Sequence, residues 1–263
     1  MLVLIRGAGD LASGVGHLLK TCGCQVVMTD LPHPTAIRRS VAFSPAITDG
    51  TAIVEGLTGR RAADAAEARR IAAGSEIALL ADPELACLPF LCPEVLIDAV
   101  LAKKNLGTKI SDAPFVVALG PGFCAGKDCH CVIETKRGHW LGRSIYEGFA
   151  EPNTGIPGNI AGYTDQRIIR APKAGIFRPA AAIGDLVEAG QQVAFVDDTP
   201  VKAPIGGVVR GILPADTPVH EGMKSGDVDP RGEKAYCFTI SDKARTIAGG
   251  VLTAIAVRFD LVK

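Results

Sequence analysis

His130, Glu134, Arg137, His139 and Arg143 fall in one stretch, Gly120–Gly158, beside Lys127 and Asp128 and among eight glycines. Charged groups are rarely buried unpaired, so this mixture is poor core material and good material for a polar site held on loops. A strand over Cys129–Thr135 puts His130 and Glu134 on one face, about 13 Å apart. They cannot bond each other, so a shared role runs through a ligand. Arg137 and Arg143 offer planar forks suited to carboxylate or phosphate. His130 and His139 can move a proton near neutral pH. The pattern predicts an anionic ligand with acid–base groups at hand: His130, Glu134, Arg137 and His139 as the catalytic set, Arg143 as a ligand contact. The competing reading is an exposed hairpin with solvated charges. Cys124, Cys129 and Cys131 around His130 look like a thiolate and imidazole ligand set. Cys129, Cys131 and Ile133, however, share the other, apolar face of the strand. They are expected to be buried thiols, and no metal is expected.

A second cluster opens the chain. Gly7-Ala8-Gly9-Asp10-Leu11-Ala12 fits the G-x-G-x-x-G/A turn that lets backbone approach a phosphate at a helix N-terminus. Asp30, 21 residues after Gly9, stands where an acid would hold a ribose hydroxyl. Arg38 could meet a phosphate. The expected cofactor-binding residues are therefore Gly7, Gly9, Asp10, Asp30, Arg38 and Arg143. Asp10 counts against a pyrophosphate, because its charge sits at the helix start; it could instead serve as a cap.

These residues need elements to position them. Leu2–Arg6 and Gln25–Thr29 read as buried strands around a helix carrying Leu11, Val15, Leu18 and Leu19. Further strands are expected near Ile77–Ala81, Val95–Ala99 and Phe115–Leu119, and a helix near Arg61–Ala73; 31–59 is ambiguous. This is the start of an open α/β sheet. Past Gly158 the chain repeats itself. Ala171, Pro172, Gly175, Arg178, Val187 and Gly190 recur as Ala203, Pro204, Gly207, Arg210, Val219 and Gly222, each pair 32 residues apart. Such a repeat implies a pseudo-two-fold unit. Ser241–Phe259 reads as an amphipathic helix weakened by Gly249 and Gly250.

Composition narrows the function classes. Lys+Arg and Asp+Glu are both 28 in 263 residues, so there is no broad basic face for nucleic acid. Aromatics are 5%, too few for a stacking wall. No segment is apolar and long enough to span a membrane, and Met1–Arg6 runs straight into Gly7 without a signal sequence. A cytoplasmic location is expected, with the eight cysteines reduced.

Two resemblances add to this. Arg170-Ala171-Pro172 with Gly175, Gly184-Asp185 with Val187 and Gly190, and Ala203-Pro204 with Gly207 resemble the biotinyl/lipoyl-like barrel-sandwich hybrid over about Arg167–Arg231. The turn between its halves, Asp197-Asp198-Thr199-Pro200, has no carrier lysine. The whole chain resembles the YqeB family, linked to selenium-dependent molybdenum hydroxylase systems. The carrying stretches are Ile5–Gly14, Arg38-Arg39-Ser40-Val41, Gly120-Pro121-Gly122-Phe123, Glu134-Thr135 with Arg137-Gly138-His139, Asn153–Gly158, and Gly222-Met223-Lys224 with Gly226–Arg231. The expected fold is α/β: a Rossmann-like domain over 1–165 with the polar segment 120–158, a barrel-sandwich hybrid over 166–232, and a C-terminal helix over 233–263 packing on the core. The resemblance implies an accessory or maturation role for a selenium-dependent molybdenum hydroxylase, with that enzyme or its maturation proteins as partners and a nucleotide or molybdenum-cofactor-related ligand. A homo-oligomer is compatible with the sequence. Two alternatives stay open: an NAD(P)-dependent oxidoreductase, suggested by the glycine turn, and a non-catalytic adaptor that docks the hydroxylase.

Overall fold

The computed structural model describes residues 1–261. Val262 and Lys263, the end of the expected 233–263 segment, lie outside the described residues. The chain forms two compact units. The first takes Met1–Pro34, Ala42–Thr154 and the chain from Ile240 on; the second takes Thr35–Val41 and Gly155–Thr239.

The first unit carries strands β1 (Leu2–Arg6), β2 (Gln25–Asp30), β3 (Thr51–Val54), β4 (Leu57–Arg61), β5 (Ile77–Ala81), β6 (Val95–Asp98), β7 (Phe115–Leu119), β8 (Cys124–Ala125), β9 (Cys131–Ile133), β10 (Ser144–Ile145) and β11 (Gly148–Phe149). Its helices are α1 (Asp10–Thr21), α2 (Ala46–Asp49), α3 (Ala65–Ala73), α4 (Leu88–Leu91) and α5 (Asp242–Arg258). Nine strands form one sheet in the order β10-β9-β7-β6-β1-β2-β5-β4-β3. Its middle is parallel; β3–β4 at one edge and β9–β10 at the other are antiparallel. The β3–β4 hairpin turns at Glu55 and Gly56, both at positive φ (44° and 83°), as a two-residue primed turn requires.

The central strands are buried on both faces, which is why they read as unbroken apolar runs. Ile5, Met28, Ile97, Leu119 and Ile133 pack under α1 and α5. Leu4, Val27, Leu80, Val116 and Val132 pack on the opposite face with α3 and α4. Gly14 of α1 has no room for a side chain, since a Cβ there would lie 2.8 Å from the Cβ of Ala244 on α5.

The second unit contains β12 (Ile168–Arg170), β13 (Gly175–Pro179), β14 (Leu186–Val187), β15 (Gln192–Val196), β16 (Thr199–Lys202), β17 (Gly207–Ile212), β18 (Thr217–Val219) and β19 (Lys224–Asp229). They form two four-stranded sheets, β12-β19-β17-β14 and β16-β15-β13-β18, which share one core with Phe177, Val196, Val209 and Val228. The 32-residue repeat shows in its glycines. A Cβ on Gly175 would strike the carboxylate of Asp197, and one on Gly207 the carbonyl of Asp229.

The expected layout is corrected on these points. The chain does not resolve into a clear Rossmann-like domain followed by a barrel-sandwich hybrid and a helix. The main sheet is mixed, with an antiparallel pair at each edge. The crossover from β6 to β7 carries a 3-10 turn (Ile110–Asp112) in place of an α-helix. The second unit also takes Thr35–Val41 from within the expected 1–165 domain, and α5 packs on the core of the first unit. A glycine turn dictates the local β1–α1–β2 start only. Edge hairpins and the pairing of distant segments are set by tertiary packing.

Candidate functional site

The C-terminal ends of β1, β2, β6, β7 and β9 lie along one edge of the main sheet, the edge where open α/β sheets bind ligands. Gly7 follows β1 at φ +101°, donates its N–H to Thr29 O (2.8 Å), and has Ala99 O 2.9 Å from where a Cβ would be. It is a wedge, and its glycine is needed for the turn itself. Gly9 differs. It caps α1 at φ −69°, an angle open to any residue, with no side-chain cap bond and nothing within 4 Å of an added Cβ. No packing reason explains the missing side chain. Asp10 begins α1 and accepts from Leu11 N–H (2.9 Å). Asp30 accepts from Ala8 N–H (2.9 Å) and Leu31 N–H (2.8 Å), and burial pushes its carboxyl above the usual range. It holds the glycine turn in shape.

At the same edge Arg6 and Asp98 close two apolar strands. Their charged groups are 3.6 Å apart, both buried, with Thr108 Oγ1 donating to Asp98 (2.6 Å). Arg6 also donates to Pro83 O and Leu106 O, pinning the loops beneath. The signal for this pair was in the sequence: each is a lone charge ending a buried run.

Glu134 leaves β9 and is buried, with only 2% of its surface exposed. Its two oxygens accept from Lys136 N–H and Glu151 N–H, each at 2.7 Å. These two bonds close the 136–151 loop. Arg137, on that loop, grips Asp242 with both Nη atoms. Arg143 lies over the ring of Trp140, 4.7 Å from its centroid, and His139 meets the same ring edge-on at 4.6 Å. Gly142 lets the loop settle on α5: a Cβ there would lie 2.7 Å from Thr246 O.

Lys243, in the first turn of α5, was missed. Burial lowers its ammonium pKa, Arg137 lowers it further, and Asp10, Glu134 and Asp242 oppose the shift. These five residues therefore share one electrostatic neighbourhood. Among the described residues the Lys243 side chain makes no hydrogen bond or ion pair. Only tertiary structure brings α5 beside the glycine turn, so no local pattern could have found it.

One expected site residue lies elsewhere. His130 precedes β9 and sits at the N-terminal edge of the sheet. Its Nδ1 accepts from Val116 N–H (2.9 Å), and its ring lies 5.7 Å from that of Phe115. Burial lowers its pKa, as does Arg258. Parallel strands put the two ends of β9 at opposite edges, so His130 cannot join Glu134 at one ligand. Arg38 belongs to the second unit, where it donates to Tyr236 O (3.2 Å) and Thr239 O (3.4 Å) and fastens the Thr35–Val41 segment. Cys129 and Cys131 are also corrected. They were expected on one face, but the strand starts only at Cys131, so Cys129 turns into the core of the other face. Burial pushes their thiols up to about 12 and about 11. Among the described residues no group of three or more His, Cys, Asp or Glu is placed to hold a metal ion. No helix among them is long and apolar enough to cross a membrane.

The chain is 52% identical over 254 residues to the uncharacterized protein YqeB of Escherichia coli (strain K12). The match covers 97% of this chain and 47% of YqeB, so the chain spans about half the length of that curated relative. The likeness supports the YqeB-family resemblance along nearly the whole chain. No family model matches. Among solved structures, weak likenesses include an aspartoacylase family protein from Mesorhizobium loti (13% identical, TM-score 0.26). A second is a succinylglutamatedesuccinylase/aspartoacylase from Rhodobacter sphaeroides (16% identical, TM-score 0.27). Each alignment covers 86% of this chain and 84% of the other. At those scores neither carries an argument.

Proposed function

We propose that this chain is an accessory protein in the maturation of a selenium-dependent molybdenum hydroxylase. In this reading it holds an anionic, nucleotide-bearing ligand over the N-terminus of α1. The hydroxylase link rests on the family resemblance; the ligand rests on the site. One observation carries the ligand reading. Gly9 stands at the start of a 12-residue helix with open space where a side chain would be and no backbone strain to demand glycine. Free N–H groups at such a turn suit a phosphate. The charge of Asp10, which would repel it, is offset by Lys243 from α5. Arg137 spends its planar fork on Asp242 and so fixes the neighbouring loop beside the turn. The hydroxylase or its maturation proteins are the partners this role requires, in the cytoplasm.

The test is Gly9→Val. Isothermal titration with AMP, ATP and NADP+ is expected to show binding of at least one by the wild-type protein and none by the variant, at equal far-UV dichroism. Equal binding by both, or none by the wild type, removes the ligand reading. Loss of hydroxylase activity in a host carrying only the variant tests the accessory role.

A further inference from the structure

A cavity of about 820 Å³ opens on the sheet face opposite α1 and α5, between α3 and the Asp82–Phe90 segment. Its volume is that of a small-molecule site. None of the residues discussed above for the glycine-turn site lines it.

Three features of its lining specify a ligand. First, alanines form much of the wall, among them Ala62, Ala66, Ala81 and Ala86. Small apolar side chains leave a space that suits an apolar body. Second, Phe90 stands in the wall with 75% of its surface exposed. A large ring left in water gains by stacking against another ring. Third, two arginines and two aspartates balance in the wall, and the charged side chain with no partner among the described residues is an arginine. Asp64 is committed to capping α3 through Glu67 N–H (2.8 Å). Asp82 is committed to Ala86 N–H (2.9 Å) and Cys87 N–H (2.8 Å). Arg69 is anchored on Leu91 O. The side chain of Arg61, at the end of β4, makes no hydrogen bond or ion pair among the described residues. The N–H groups of Ala65 and Ala66, in the first turn of α3, are also unused there.

We infer that this cavity is a second binding site, for a small aromatic anion whose ring lies against Phe90 and the alanines and whose carboxylate or phosphate meets Arg61. The site binds and does no covalent chemistry. Its one nucleophile, Cys87, is buried, and burial with the nearby Asp82 carboxylate pushes the thiol up to about 12.

The probe is 8-anilinonaphthalene-1-sulfonate, an aromatic anion that fluoresces on leaving water. The full chain is expected to bind it in a saturable, single-site manner. Arg61→Ala should weaken binding about tenfold. Ala86→Trp should abolish it by filling the cavity, and Ala66→Phe should do the same from the α3 wall. Both alanines are exposed, so thermal melts should stay near wild type. Gly9→Val should leave the probe's affinity unchanged, which separates this site from the glycine turn. Displacement by benzoate identifies a free aromatic acid as the ligand type, and displacement by AMP a nucleotide. Failure of both to displace the probe overturns the inference. So does wild-type affinity in folded Ala86→Trp and Ala66→Phe.

Discussion

Arg137 and Asp242 lie 105 residues apart and are joined by two parallel hydrogen bonds, of 2.6 and 2.8 Å. The pair ties the loop after β9 to the first residue of α5, where a carboxylate also complements the positive end of the helix. Asp242 is largely exposed, so the pair adds little stability, on the order of 0–1 kcal/mol. Its consequence is geometric. It fixes the loop that carries His139 and Arg143 beside the turn that carries Lys243.

Arg137→Lys keeps the charge and loses the fork. Thermal melting should shift by no more than about 1 kcal/mol equivalent, while hydroxylase activity in a complemented host should fall. Full activity from a normally expressed Arg137→Lys protein would show that the loop is structural.

The glycines of α5 were expected to weaken it equally, and the structure separates them. Gly249 has nothing within 4 Å of an added Cβ, whereas a Cβ on Gly250 would overlap the carbonyl oxygen of Gly142. Gly249→Ala should stabilise the protein by about 0.5–1 kcal/mol through helix propensity. Gly250→Ala should cost about 1–3 kcal/mol, because loop and helix must part. Urea midpoints measure both; two shifts of the same sign would contradict the packing of this loop.

How much of this was legible depended on whether a residue's neighbours were local. Phe115–Leu119 and Ile77–Ala81 could be placed as strands because burial on both faces demands unbroken apolar runs. The helix expected from Arg61 begins at Ala65, because Arg61 still pairs in β4 and Asp64 takes the cap. The β3–β4 hairpin lay hidden in the ambiguous region, although Glu55-Gly56 marks its turn. Glu134 could not be distinguished from a catalytic acid by sequence. Whether its carboxylate faces a ligand or two N–H groups depends on how a loop reaching to Glu151 closes. Lys243 depends on the docking of a helix from the far end of the chain.

His130 gives a prediction opposite to the one its residue type suggests. His130→Gln should leave ligand binding and hydroxylase activity intact. It should cost on the order of 1 kcal/mol, the worth of the bond that Nδ1 accepts from Val116 N–H. Burial holds the folded pKa below its ordinary value of about 6.5. The unfolded chain therefore binds the proton first. The imidazole's contribution is complete above about pH 6.5 and is lost as pH falls through the folded pKa. Denaturant midpoints from pH 8 to pH 5 should drop more for the wild type than for His130→Gln. Parallel curves would contradict the placement of this ring.

Lys243 supplies the sharpest test of the site's electrostatics. Burial lowers its pKa below the ordinary lysine value of about 10.4. Between the folded and unfolded pKa values the unfolded chain carries more protons, so stability rises with pH across that window. Below it, the buried ammonium is a standing cost. Lys243→Met keeps the stem and removes the charge. It should raise the urea midpoint at pH 7, and the gain should shrink as pH climbs toward 10. The same variant should weaken binding of an anion at the glycine turn, because it removes one positive charge from the neighbourhood of Asp10. Arginine at this position should restore binding at pH 7 but show no recovery of stability as pH climbs toward 10, since it cannot shed its proton. A Lys243→Met protein that is no more stable than wild type at pH 7, and binds the same nucleotide equally well, would show that this amine is solvated and takes no part in the site.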